Sequence, residues 1–240
     1  MFFIPKKDGK KWMVQDYHYL NKHMVKNNYP LPLISQLIDK LKGAKMFTKM
    51  DLWWGYNNVW IKEGDKWKAV FICYCGSFKP LVMFFGLCNS LRTFQVMIND
   101  IFTDMEDVYV VYIDDLMIFM KSNSKKEHNK VVLKVLCCLE ENDLFIKPKK
   151  CTFYAKEAEF LGMIVGKDSV CMDDSKVMAI LEWPELKNIK GVQSFLELAN
   201  FYWWFIFSYV QVTWPLNDLT KKDMPFVWGS TQQQAFNMLK

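Results

Sequence analysis

The residues best able to do chemistry are Asp114 and Asp115, in Tyr112-Ile113-Asp114-Asp115 within the segment VYVVYIDDLMIFM. Two adjacent carboxylates between strand-like apolar runs are costly if buried without partners. A solvent-exposed hairpin turn is one solution. Neutralisation by cations is the other, because magnesium is commonly held by one or two carboxylates together with substrate phosphates. A third carboxylate, Asp51, ends the strand-like MFTKMD just before Trp53-Trp54-Gly55-Tyr56. If these strands are neighbours in one sheet, three acids meet at one end. Two-metal phosphoryl transfer needs such a cluster, with ions about 4 Å apart. Spacing alone does not bring them together.

The elements that must position these acids follow from the pattern. Residues 108–120 read as a hairpin, and 46–52 as a strand continued or paired by 57–63. The opening MFFIPKKDGKKWMV predicts two short strands about a Lys7–Lys10 turn, and 67–74 predicts another strand. Helices are expected over 33–41 and 93–105, the second with Phe94, Met97, Ile98 and Ile101 on one face. Ser124 and Glu127 form a capping box that opens a helix to about Asn142. Short strands are expected near 145–146, 153–154 and 160–165, then helices over 175–183 and 191–205. Strands and helices mix irregularly, which indicates an α+β fold with a helical C-terminal part.

Composition narrows the function classes. The chain has 240 residues, a net charge of +5 and 51% hydrophobic residues, so it can build a core. No apolar run reaches the ~18 residues of a membrane span, and no signal-peptide layout opens the chain. Seven cysteines without a CxxC pair, and three histidines away from them, argue against a zinc site or disulfide framework. All but one of the 31 basic residues are lysine, the exception being Arg92, while tryptophans number ten. Lysine clusters at 6–11, 121–130 and 147–150 suit a phosphate backbone read without sequence preference.

Taken in order, KKDGKKWMVQDYHYLN, YPLPLISQLIDKLKGAKMFTKMDLWWGY, LVMFFGLCNSLRTFQ, VYIDDLMIF, EFLGMIV and FYWWFI resemble the successive motifs of the reverse transcriptase of gypsy-type LTR retrotransposons. The resemblance covers essentially the whole chain. It implies a right-hand polymerase fold with fingers, an antiparallel palm sheet and a thumb. The implied layout is partial fingers over 1–45, palm over 46–64, fingers over 65–89 and palm over 90–165. The thumb follows over 166–225, and 226–240 resembles the start of an RNase H-type domain. The chain would then be a truncated piece of a larger Pol polyprotein that normally carries RNase H and integrase, intracellular and not secreted.

The resemblance also implies roles. Asp51, Asp114 and Asp115 are the catalytic and metal-binding acids for two Mg2+ ions, with Mn2+ as a substitute. Tyr56, Phe85, Gly86 and Lys6 serve the incoming dNTP, with Lys7 beside Lys6, and Tyr56 excludes a ribose 2′-hydroxyl. Phe160, Leu161 and Gly162 form the primer-grip turn, and Lys147 or Lys150 stands near pyrophosphate. The partners implied are an RNA and DNA template-primer and dNTPs, with no membrane. Taken alone, Tyr56 also reads as a core tyrosine and Lys6–Lys7 as a solvated turn. An RNA-dependent RNA polymerase shares the palm and the acid pair, but the Asp51-to-Tyr56 spacing and the Phe160-Leu161-Gly162 turn disfavour it.

Several positions depart from the family pattern. Trp12, His18, Trp53, Trp60, Cys75, Trp203 and Trp204 stand where arginine is usual. Leu91 replaces a usual proline, Glu197 a glycine and Arg92 a small residue. Most of these changes are reachable by one C→T or G→A transition, the signature of cytosine deamination in a silenced copy. Trp12 loses charge-assisted bonds to phosphate. Leu91 and Arg92 are expected to distort the helix start beside the nucleotide pocket. The expectation is a polymerase with weak or absent activity, or a remnant that keeps the fold and binds nucleic acid.

Overall fold

The computed structural model describes residues 2–5, 9, 11–222 and 224–240, in two compact units, Met1–Val170 and Cys171–Lys240. Lys6, Lys7 and most of the expected Lys7–Lys10 turn lie outside the described residues, as does the side chain of Trp12. The first unit opens with antiparallel strands β1 (Phe2–Pro5) and β2 (Lys11–Val14), then helices α1 (His18–His23) and α2 (Ile34–Leu41). Strand β3 (Met46–Asp51) follows, then the small hairpin β4 (Phe71–Cys73) and β5 (Gly76–Phe78). Helix α3 (Ser90–Ile101) leads into β6 (Tyr109–Tyr112) and β7 (Asp115–Met120), and α4 spans Lys125–Glu141. The unit closes with β8 (Thr152–Ala155), β9 (Glu157–Phe160) and β10 (Met163–Gly166).

The sheet that matters has the order β6-β7-β3-β8. Side chains alternate across a strand, so each strand sorts its residues by face. Met50, Leu116, Ile118, Tyr109 and Val111 turn to one face. They pack there with Phe94 and Ile98 of α3 and Val132, Val135 and Leu139 of α4. On that face Thr48 Oγ1 meets His128 Nε2 of α4 at 2.8 Å, fully buried. The alternate positions Lys49, Asp51 and Asp115 turn to the opposite face, where Phe47, Met117 and Phe119 are also buried and the two acids stand at the strand ends. The apolar runs therefore serve as the anchor that holds the acids at the sheet's end. Truncating one buried leucine to alanine here costs about 2–5 kcal/mol.

Ser124 caps α4 as expected, its hydroxyl accepting the Glu127 N–H at 3.3 Å. The Glu127 carboxylate does not close the box but accepts the Ser122 hydroxyl at 2.7 Å. Other expectations fail. Residues 57–63 form no strand: a 3-10 turn (Gly55–Asn58) ends in a single bridge, Trp60 to Val82. Of 67–74, residues 67–69 belong to a 3-10 turn, Lys66–Ala69, and only 71–73 form a strand, while 145–146 contributes one bridge to Leu52. Leu91 and Arg92 do not distort α3. Leu91 packs against the core that α3, α4 and the sheet share, and the Arg92 guanidinium donates to the Asn27 carbonyl.

The second unit is helical: α5 (Asp174–Leu181), α6 (Ile189–Phe201), α7 (Tyr209–Asp218) and α8 (Ser230–Leu239). Asp173 and Asn188 cap α5 and α6 through side-chain oxygens. The expected extension of α6 to 205 is a separate 3-10 turn, Trp203–Phe205. Phe195 links the helices, with Trp183 at 5.6 Å and Phe236 at 4.8 Å, both edge-on. Among the described residues no helix is long and apolar enough to cross a membrane.

Candidate active site

Strands β3 and β7 are antiparallel, and their register sets Asp51 opposite Asp115. Ile113 and Asp114 form the two-residue loop between β6 and β7, closed by the Tyr112–Asp115 pair. The Leu52 N–H donates to the Asp114 carbonyl at 2.9 Å, which ties the loop to the end of β3. The convergence that spacing left open is therefore made by the sheet. Ile113 holds φ at +59°, a costly value for a β-branched residue. Its N–H is 3.5 Å from Gln95 Oε1 of α3.

Like charges directly opposite in a sheet repel, and lysines answer them here. Lys147 Nζ lies 2.6 Å from Asp51 Oδ1, Lys150 Nζ 3.0 Å from Asp51 Oδ2, and Lys49 Nζ 3.6 Å from Asp115 Oδ1. Burial pushes the Asp51 carboxyl up, but the bonds from Lys147 and Lys150 outweigh it and hold it below the usual carboxylate range. Asp114 behaves in the opposite way. Burial, reinforced by Asp51 and Asp115 and opposed by Lys147 and Lys150, pushes it up to about 6. Its Oδ1 is buried and has no hydrogen-bond partner among the described residues.

Gly55 explains how that carboxylate fits. A Cβ there would stand 2.4 Å from Asp114 Oδ1 and 2.8 Å from the Phe94 ring. Glycine between bulky aromatics at a strand end is a signal of close approach, and sequence reading passed over it. The same 3-10 turn carries Tyr56, buried and edge-on to Phe94 at 5.6 Å and Phe85 at 5.4 Å. Its hydroxyl has no partner among the described residues, and burial raises its pKa.

Asp114, Gly55, Tyr56, Phe85 and Lys147 line one cleft of about 580 Å³, with Gln15 and Trp54 also on its wall. Gly86 stands behind it at φ +111°, a value that favours glycine, and its carbonyl accepts the Asn21 side-chain amide at 2.8 Å. Phe160, Leu161 and Gly162 are elsewhere, in the β9–β10 hairpin. There Leu161 and Gly162 both have positive φ between the paired Phe160 and Met163. Two positive φ values in a two-residue loop are what a type I′ hairpin turn requires. Lys6 lies outside the described residues. Lys150 reaches Asp51 but does not line the cleft.

The chemistry of the donor set fits hard divalent cations: three carboxylates at one sheet end, one oxygen of which is unpartnered. The arrangement is not a preassembled cage. Among the described residues no three His, Cys, Asp or Glu side chains are grouped closely enough to hold an ion. The lysines occupy the Asp51 oxygens instead.

The sequence profile of the family described as Reverse transcriptase (RNA-dependent DNA polymerase) matches residues 4–165. The chain belongs to the reverse transcriptase family. It is 39% identical over its full length to the Transposon Tf2-3 and Tf2-4 polyproteins of Schizosaccharomyces pombe. It spans 18% of the length of those relatives. Among solved structures, a foamy viral protease-reverse transcriptase in complex with double-stranded DNA superposes with a TM-score of 0.90. That match covers 99% of this chain and 42% of the other, at 23% identity. The same viral enzyme in complex with an RNA/DNA hybrid gives a TM-score of 0.86 at 22% identity. The α+β polymerase fold expected from sequence is therefore the fold of this reverse transcriptase domain.

Proposed function

We propose that this domain is the RNA-directed DNA polymerase of a gypsy-type LTR retrotransposon Pol polyprotein, impaired in this copy. One observation carries the reading. Asp51, Asp114 and Asp115 meet at one end of a sheet, beside a cleft walled by Tyr56 and Lys147. Asp51 and Asp114 would hold two divalent cations, with Asp115 completing the charge. Those ions would neutralise the attacking and leaving oxygens during phosphoryl transfer. Tyr56, wedged between Phe85 and Phe94, is placed to lie under the incoming sugar and reject a 2′-hydroxyl. Tyr56→Ala is therefore expected to raise ribonucleotide relative to deoxynucleotide incorporation about tenfold or more, about 1.4 kcal/mol of lost discrimination. Equal ratios for parent and variant would remove Tyr56 from this role.

The impairment rests on the arginine positions. Trp53, Trp60 and Trp203 are exposed, where they present an indole in place of the guanidinium of the family pattern. The test is Mg2+-dependent extension of a DNA primer on an RNA template with deoxynucleotides. The parent is expected to extend slowly, and restoring arginine at positions 12, 53 and 60 is expected to speed it. A parent as fast as an intact relative overturns the impairment. No extension by parent or restored protein overturns the polymerase reading and leaves a folded nucleic-acid-binding remnant.

A further inference from the structure

The two lysines on Asp51 close a position that a cation needs. The Asp51 side chain is only 14% exposed, and both of its oxygens are taken, by Lys147 at 2.6 Å and Lys150 at 3.0 Å. Lys147 Nζ is also 3.4 Å from the Leu52 carbonyl. Its segment is stitched to the strand end. The Lys147 N–H donates to the Asp51 carbonyl at 2.9 Å, and the Trp53 N–H donates to the Phe145 carbonyl at 2.6 Å. Leu52 and Ile146 form a bridge between them. The backbone that carries Lys147 therefore stays beside Asp51, and only the side chain can swing away. With Lys49 on Asp115, three ammonium groups face three carboxylates, so the cluster is balanced in charge without any metal.

We propose that Lys147, helped by Lys150, is a built-in counter-ion that competes with divalent cations for Asp51, so that cations load tightly only when a polyanionic substrate draws Lys147 away. The nature of that substrate rests on the polymerase reading; the competition does not. Lys147 is suited to the exchange because it lines the cleft while gripping Asp51. A triphosphate in the cleft offers its ammonium a replacement partner. Cation and substrate binding then become mutually favourable, a coupling between the two sites. Lys150 is 63% exposed, so solvent weakens its hold and it contributes less.

The experiment titrates the full 240-residue chain with Mn2+ in the absence of nucleotide, counting free ion by electron paramagnetic resonance. Lys147→Met is expected to bind Mn2+ about tenfold more tightly than the parent. Lys150→Met is expected to gain less, and Lys147→Arg, which keeps the cation, to stay near the parent. Adding Asp51→Asn to Lys147→Met is expected to erase the gain. Unchanged or weaker Mn2+ binding by a folded Lys147→Met overturns the proposal, as does a gain that survives Asp51→Asn. If Lys147→Met does not fold, Lys147→Gln is read by the same criteria. Failure of primer extension leaves this titration untouched, so the two readings fail separately.

Discussion

Asp114→Asn is expected to abolish primer extension while raising the melting temperature of the metal-free protein. The carboxyl is pushed up to about 6 from an ordinary 3.8, chiefly by burial. The folded protein therefore binds its proton more tightly than the unfolded chain does. The stability that the protonated form contributes is complete below about pH 4 and is lost as pH rises through about 6. At neutral pH the charge is a burden, worth about 1–2 kcal/mol once partial solvent access is allowed for. Asparagine removes the charge at nearly the same shape, so its melting point is expected to rise by about 3–6 °C at pH 7. The gain is expected to vanish at pH 4, where the parent is already neutral at this position. Extension, measured in the arginine-restored protein, is expected to fall below detection because the ionised oxygen is gone. A melting point unchanged or lower at pH 7 would show that Asp114 carries no such burden.

Gly55→Ala is the second large effect. One methyl group enters at 2.4 Å from Asp114 Oδ1 and 2.8 Å from the Phe94 ring, well inside contact distance. Phe94 is fully buried and cannot yield, so the carboxylate must move. Overpacking costs about 1–3 kcal/mol, and displacing a reacting group by about 1 Å can cost 100-fold in rate. Extension is therefore expected to drop about 100-fold, with a far smaller loss of folded protein seen by circular dichroism. Activity within twofold of the parent, measured in the restored background, would refute the close approach. Gly55→Ser is expected to fail in the same way, since its Cβ stands in the same place.

Much of this was legible because pattern and chemistry coincide. The hairpin around Asp114 and Asp115 announces itself as two apolar runs broken by acids, and Ser124 marks the start of α4. The pairing of Asp51 with Asp115 was not legible from spacing. It depends on register between strands far apart in the chain, and only the family resemblance supplied it. The lysine contacts to Asp51 stayed hidden for the same reason. Helix α1 buries none of its own residues and is held from outside, through Asn21 to Gly86 and Cys88. No local apolar stripe announces it. Helix α7 contains Pro215, a residue that normally argues against a helix interior. Residues 57–63 have the composition of a strand, yet the turn that seats Gly55 and Tyr56 takes the chain away from the sheet. Local propensity there gives way to the needs of the site.

Most of the positions read as departing from the family pattern share a placement with a consequence of its own. His18, Trp53, Trp60, Cys75, Glu197 and Trp203 are exposed, and Trp204 is half-buried with its indole N–H unpartnered among the described residues, while Leu91 merges into the apolar core and Arg92 finds a backbone carbonyl. Changes placed in this way leave the core intact. A melting curve or a far-ultraviolet spectrum would pass such a protein as sound. Quality control that senses exposed core would spare it too. Foldedness and competence are thus separable in this molecule, and only an assay of the surface it offers to phosphate can tell an active copy from a silent one.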